Sequence, residues 1–153
     1  MSLSLAKTDL KKLYETDDHL WLQETIKLLQ TNRFDELDLE NLIEELEDLG
    51  RSDKNKAVSL LEQIIRHLLY LQYWETEVKN NKSHWEAEID SFRTQLRRHL
   101  TNNLHQYLEQ EFDPIYQDAL RYVTKKTQLE VFPVQCPYTL VQLLDINWLP
   151  KLS

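Results

Sequence analysis

An all-α fold is predicted by two observations on this sequence. Gly50 is the only glycine among 153 residues, and strand turns, bulges and phosphate-cradling loops draw heavily on glycine at positive φ. From Phe34 to Trp74 the chain carries apolar residues at helical spacing in two blocks, FDELDLENLIEELEDLG and AVSLLEQIIRHLLYLQYWE. The expectation is a single compact helical bundle over residues 1–153, with a core spanning roughly 14–150. About five to seven helices are predicted, with a non-helical, proline-containing segment near the C-terminus.

The first predicted helix covers residues 17–30. Leu20, Trp21, Glu24 and Leu28 lie on one flank and Leu22, Ile26 and Leu29 on another, so it should touch more than one neighbour. A polar connection over 31–37 carries Phe34 and Leu37 as plugs. The second helix starts at Asp38 as N-cap and ends at Leu49, with Gly50 placed where left-handed φ is wanted. Its apolar face is Leu39, Leu42, Ile43, Leu46 and Leu49.

Ser52 is the predicted cap of a third helix reaching Glu75. Leu60, Leu61, Ile64, Ile65, Leu68, Leu69 and Leu71 give it an apolar face so wide that it should be central. The short 50–53 connection would fold helices two and three into an antiparallel hairpin. Asn80-Asn81-Lys82 reads as a loop, followed by a capping box of Ser83 and Glu86. Trp85, Ile89, Phe92, Leu96 and Leu100 form the seam of the fourth helix, weakened at Thr101-Asn102-Asn103. A short helix carries Leu104, Tyr107, Leu108 and Phe112. Asp113-Pro114 opens the next, whose inner face is Ile115, Ala119, Tyr122 and Val123. Two prolines hold 131–138 out of helix. Residues 140–145 form a last short helix capped by Thr139, and Trp148-Leu149-Pro150 dock the tail.

Composition narrows the function classes. A hydrophobic content of 41% with 29% charged residues fits a folded soluble chain and not a disordered one. The formal charge of −8 opposes approach to phosphate, so nucleic-acid and anionic-membrane partners are disfavoured. No apolar run nears the roughly 20 residues of a membrane span, and the N-terminal MSLSLAKTDLKK lacks a secretory core. A lone cysteine, Cys136, excludes an intrachain disulfide and suits the cytoplasm. Protein partners and self-association are the partner classes that remain.

Five blocks in order carry a family resemblance: YETDDHLW, FDELDLENLIEELEDLG, RHLLYLQYW, SHWEAEIDSFR and FPVQCPYTLVQLLD. Together they resemble an uncharacterised bacterial family, domain of unknown function 29, abundant in cyanobacteria. Two departures are visible. Asp18 stands where members often have an aromatic, and Asn102-Asn103-Leu104 where they often have Asn-Pro-Ser. The resemblance implies a helical bundle of the bacterial cytoplasm and brings no catalytic residues with it.

Three constellations merit weighing. Gln63, His67, Tyr70 and Trp74 run along one edge of the third helix, each with an apolar body and a polar tip. With Asp17 and Trp21 they form the candidate site or packing cluster. A packing role carries more weight, because buried polar groups are normally satisfied structurally. In the predicted hairpin His67 lies level with residues 34–39 and is expected to be mostly buried. Its hydrogen-bond partner should then lie outside Glu44–Asp48, with Asp17, Asp35 and Asp38 in view.

Glu40, Glu44, Glu45, Glu47 and Asp48 invite a metal reading near His67. Carboxylate-metal bundles, however, use Glu-x-x-His pairs, and this sequence has none. No metal and no cofactor are predicted. Arg93 and His99 superficially match the spaced Arg…His signature of HEPN-type ribonucleases, in which histidine handles a ribose proton and arginine the phosphate charge. Arg93 is expected instead to pair with carboxylates of the second helix. Cys136 has no sequence-adjacent base and reads as a packing residue. The expected function is a non-enzymatic protein-interaction or scaffold domain. The alternatives are a hydrolase or HEPN-like ribonuclease using His67 or His99 with Arg93, and a metal- or small-ligand-binding bundle near His67.

Overall fold

A computed structural model describes residues 6–152. Residues 1–5 and 153, part of the expected domain span, lie outside the described residues. Among the described residues the fold is all-α, with seven α-helices, one 3-10 turn and no strand. The helices are α1 (Lys7–Thr16), α2 (Asp18–Gln30), α3 (Leu39–Tyr73), α4 (Glu75–His99), α5 (Asn102–Gln110), α6 (Phe112–Thr127) and α7 (Leu140–Leu144). The chain divides into two units, Met1–Arg51 and Ser52–Ser153, and α3 contributes to both.

The first unit contains α1, α2, the 3-10 turn Phe34–Glu36 and the start of α3. The sequence reading assigned nothing before residue 17, yet α1 buries Leu10. Asp17 ends α1 and caps α2, its carboxylate accepting from the Leu20 amide at 3.1 Å. Leu10, Trp21, Leu28 and Leu37 are the buried centre, with Leu13, Tyr14 and Leu42 packed on them. The Trp21 indole donates to the buried Asp38 carboxylate at 3.2 Å, and Asn41 donates to the same oxygen at 2.7 Å. Tyr14 donates to Glu45 at 2.6 Å, which ties α1 to α3.

The second unit is built on the remainder of α3, whose Leu61, Ile64, Ile65, Leu68 and Leu69 are fully buried. This is the wide apolar face expected of a central helix. α4 lays Trp85, Ile89 and Leu96 on the same core, α5 adds Leu108, and α6 adds Ile115, Tyr116, Ala119 and Val123. α5 is capped by Thr101 and α7 by a capping box of Thr139 and Gln142. Pro114 occupies the third position of α6, within the first turn, where its missing N–H is harmless. Gln128 ends that helix in the left-handed region at φ 60°. Residues 131–138 are non-helical. They are held by Tyr116 donating to the Pro133 carbonyl at 2.5 Å and by Gln117 donating to that of Val134 at 3.1 Å.

Two predicted breaks are corrected. Helices two and three are one continuous helix, so there is no hairpin at 50–53, and Gly50 does not adopt positive φ. A helical glycine costs about 1 kcal/mol, less than ending a helix whose flanks are Glu, Leu, Lys and Arg. The Asp48–Arg51 ion pair also spans it. The predicted loop at 80–82 is helical too, with the Asn81 amide donating to the Glu77 carbonyl at 2.9 Å, and Ser83 lies inside α4. The real break comes at Trp74, whose ring stacks on Trp85 at 5.8 Å and 15°.

Gly50 offers a test of sign. A Cβ placed there meets nothing within 4 Å, so Gly50→Ala should stabilise the middle of α3 by about 1 kcal/mol. Amide exchange over 46–54 should slow roughly fivefold. Faster exchange would mean that the residue needs left-handed φ after all.

Candidate functional site

The residues expected to form a site divide between the two units. Asp17 and Trp21 belong to the first, where one caps α2 and the other fills the core. Gln63, His67, Tyr70 and Trp74 belong to the second and do form a row on α3. His67 lies 5.5 Å from the Tyr70 ring and 5.3 Å from that of Phe92. Tyr70 in turn touches Trp74 at 5.5 Å and Trp85 at 5.6 Å. Trp85 and Phe92 had been assigned only to the α4 seam. Their spacing on that seam was the available signal that they would meet this row.

His67 is half-buried, and its Nδ1–H donates to the Gln63 carbonyl one turn earlier at 2.7 Å. A carbonyl can only accept, so this bond fixes the neutral ring as the Nδ1–H tautomer. Its partner is thus helix backbone, whereas Asp17 serves as a cap. Tyr70 is buried, its hydroxyl has no hydrogen-bond partner among the described residues, and burial raises its pKa to about 12. Lys126 sits 5.4 Å from the centre of its ring.

Burial is the main force on the His67 imidazole and holds its pKa below the ordinary value, against the Gln63 bond and Glu88; Lys126 and His84 push the same way as burial. A folded pKa below the unfolded one means that the unfolded chain binds more protons. The contribution of neutral His67 is therefore whole above about pH 6.5 and is lost as pH falls toward the folded value. Between neutral pH and about pH 5, the wild type should lose more stability to urea than His67→Gln does. Parallel pH profiles would refute this.

Arg93 does not pair with α3 carboxylates. It is buried, and its guanidinium donates to three backbone carbonyls: Nε to Leu143 at 2.7 Å, Nη1 to Trp148 at 2.7 Å and Nη2 to Gln142 at 3.1 Å. Gln142 and Leu143 lie in the last turn of α7, where a cation is favoured; the Gln142 carbonyl also accepts from the Asp145 amide at 3.3 Å. Desolvation lowers the Arg93 pKa, partly offset by Asp145 and Asp90. His99 is half-buried at the end of α4. Cys136 is half-buried, and burial pushes its thiol up to about 11, which leaves it protonated near neutral pH.

Two cavities open elsewhere in the second unit. One of about 560 Å³ is lined by Leu71, Gln72, Glu75, Val78, Lys79 and Leu152, and one of about 250 Å³ by Tyr73, Glu75, Thr76, Leu129 and Val131. Among the described residues no group of three or more His, Cys, Asp or Glu is placed to hold a metal ion. None of the helices described is long and apolar enough to cross a membrane.

A different feature dominates the first unit. Leu39, Ile43, Leu46 and Leu49 on α3 are 53–60% exposed, and Leu22, Ile26 and Leu29 on α2 are 41–46% exposed. Both sets follow helical spacing, so each is an apolar stripe left exposed among the described residues. Glu45 and Leu22 border a shared cavity of about 180 Å³ with Asp18, His19 and Trp21, which places the two helices side by side there. Every residue of α3 from 43 to 56 is exposed.

The sequence model of a family described as Domain of unknown function DUF29 matches residues 13–149. The chain belongs to the DUF29 family. That span takes in the last turn of α1 and everything through the docked C-terminal segment, so both the exposed stripes and the Arg93 contacts lie within the DUF29 region. No curated protein and no solved structure matches the chain.

Proposed function

We propose that this DUF29 protein is a non-enzymatic interaction or scaffold domain of the bacterial cytoplasm, docking partner proteins through its first unit. The observation that supports this most is the pair of apolar stripes left exposed on α2 and α3. Water-facing leucines and isoleucines at helical spacing resemble the uncovered half of a helix–helix interface, since such stripes are normally buried against another element. The enzymatic alternative with Arg93 draws no support from a guanidinium engaged with three backbone carbonyls. His67 likewise donates to its own helix.

A photo-crosslinking amino acid at position 46, compared with one at exposed Gln110, tests the proposal in cells expressing the protein. Recurrent protein adducts at 46 and none at 110 are expected. Ile43→Ser/Leu49→Ser, placed beside the crosslinker at 46, should abolish them while leaving circular dichroism unchanged and stability within about 0.5 kcal/mol, as usual for exposed positions. Adducts equal at both positions would overturn the interaction reading. So would a turnover, found by broad substrate screening, that His67→Ala removes without unfolding the chain.

A further inference from the structure

The exposed α3 stripe has a strongly one-sided electrostatic border. Between Leu39 and Gly50 stand five carboxylates and no lysine or arginine. At 3.6 residues per turn Glu40 and Glu47 border the apolar stripe on one side and Glu45 on the other. Glu40 is paired with Lys11 and Glu45 accepts from Tyr14. Glu44 and Glu47 have no basic partner among the described residues. The imbalance extends to the whole first unit. Residues 1–51 hold 13 of the chain's 26 carboxylates but only six of its 18 lysines and arginines, a formal −7 out of the total −8.

From this border we infer that the occupant of the stripe is an amphipathic helix of another protein, apolar on one face and flanked by lysine or arginine. The inference rests on the interaction reading above and adds the chemistry of the partner. Burial of Leu39, Ile43, Leu46 and Leu49 against such a helix supplies the apolar contact, as in other helix-on-groove recognition. Basic flanks opposite Glu40 and Glu47 supply attraction and register, as flanking charges do in coiled coils. A second copy of this chain fits poorly. A two-fold interface presents the same patch from both sides, which would bring two units of charge −7 together and set carboxylates against carboxylates. An anionic lipid surface is disfavoured by the same repulsion.

The test uses the full chain and three labelled synthetic peptides of about three heptads. One has leucine core positions with Lys/Arg flanks, one has the same core with Glu flanks, and one scrambles the first so that no apolar face remains. Fluorescence anisotropy should show the basic amphipathic peptide binding, with affinity falling as salt rises. Ile43→Ser/Leu46→Ser should weaken it at least tenfold. Glu40→Gln/Glu47→Gln should weaken it several-fold and flatten the salt dependence. Equal binding of the scrambled peptide would reduce the effect to bulk charge and overturn the inference. Equal binding of the Glu-flanked peptide would remove the charge selection and overturn it too. Sedimentation showing a dimer that Ile43→Ser/Leu46→Ser dissociates would assign the stripe to a second copy. That result sinks the partner chemistry while leaving the interaction reading intact; absence of position-46 adducts in the chain without serine substitutions sinks both.

Discussion

Arg93→Met should destabilise the second unit by roughly 2–4 kcal/mol, because the buried Leu143 carbonyl and the part-buried Trp148 carbonyl lose their donor at about 1–3 kcal/mol each, while that of Gln142 keeps the Asp145 amide. The side chain is 2% exposed, and its three acceptors all belong to the segment 142–148. Methionine fills much of the volume but donates nothing. Undocking should therefore begin at α7 and Trp148, whose ring sits edge-on to Tyr138 at 5.6 Å. Limited proteolysis should cut within 130–150 well before the core, and near-ultraviolet dichroism should weaken. Arg93→Lys keeps the charge, yet a single ammonium cannot span three carbonyls, so an intermediate loss is expected. Wild-type stability in the methionine variant would show that the tail is held by apolar contact alone.

Trp21→Ala should have an effect of similar size confined to the first unit. Truncating a fully buried tryptophan typically costs about 3–5 kcal/mol. Here the ring is 1% exposed and is the largest of the four buried apolar side chains that its cluster holds among the described residues. It also packs at 4.9 Å on Tyr14 and bonds Asp38. A core that small leaves little reserve. Helical signal from α1 and α2 should be lost while α4–α6 remain protected from amide exchange. Trp21→Phe keeps most of the packing but leaves Asp38 to Asn41 alone, at a cost of about 1–3 kcal/mol. A single cooperative unfolding transition, shifted for both units together, would contradict the confinement.

The elements that could be read without coordinates are those decided by local chemistry. The all-α class follows from helical spacing and from a single glycine. The Thr139 cap and the prolines of 131–138 act over three or four residues and behave as expected. The core face of α3 was legible because Leu61, Ile64, Ile65, Leu68 and Leu69 leave too wide an apolar arc for a surface helix. The row of Gln63, His67, Tyr70 and Trp74 was legible for the same reason, being consecutive turns of one helix.

The misplaced helix breaks show where local reading runs out. Glycine at 50 and asparagines at 80–81 weaken a helix by about 1 kcal/mol or less, and neighbouring turns override them. The break at Trp74, within two residues of the expected helix end at Glu75, has no glycine or proline; there the indole stacks on Trp85, a residue eleven positions away. Arg93 was misassigned for a related reason. Its acceptors are main-chain carbonyls, which every residue possesses, so no side-chain pattern distinguishes them from any others.

By itself, then, the sequence determined the helical class, most helical segments, the acidic balance and which faces are apolar, since each depends on neighbours within a few turns. Only the tertiary structure decided that the face of Leu39, Ile43, Leu46 and Leu49 stands in water while that of Leu61 to Leu69 is buried. The two faces share one helix and one periodicity. Burial is a property of what lies opposite, and that is set by contacts between residues far apart in the chain.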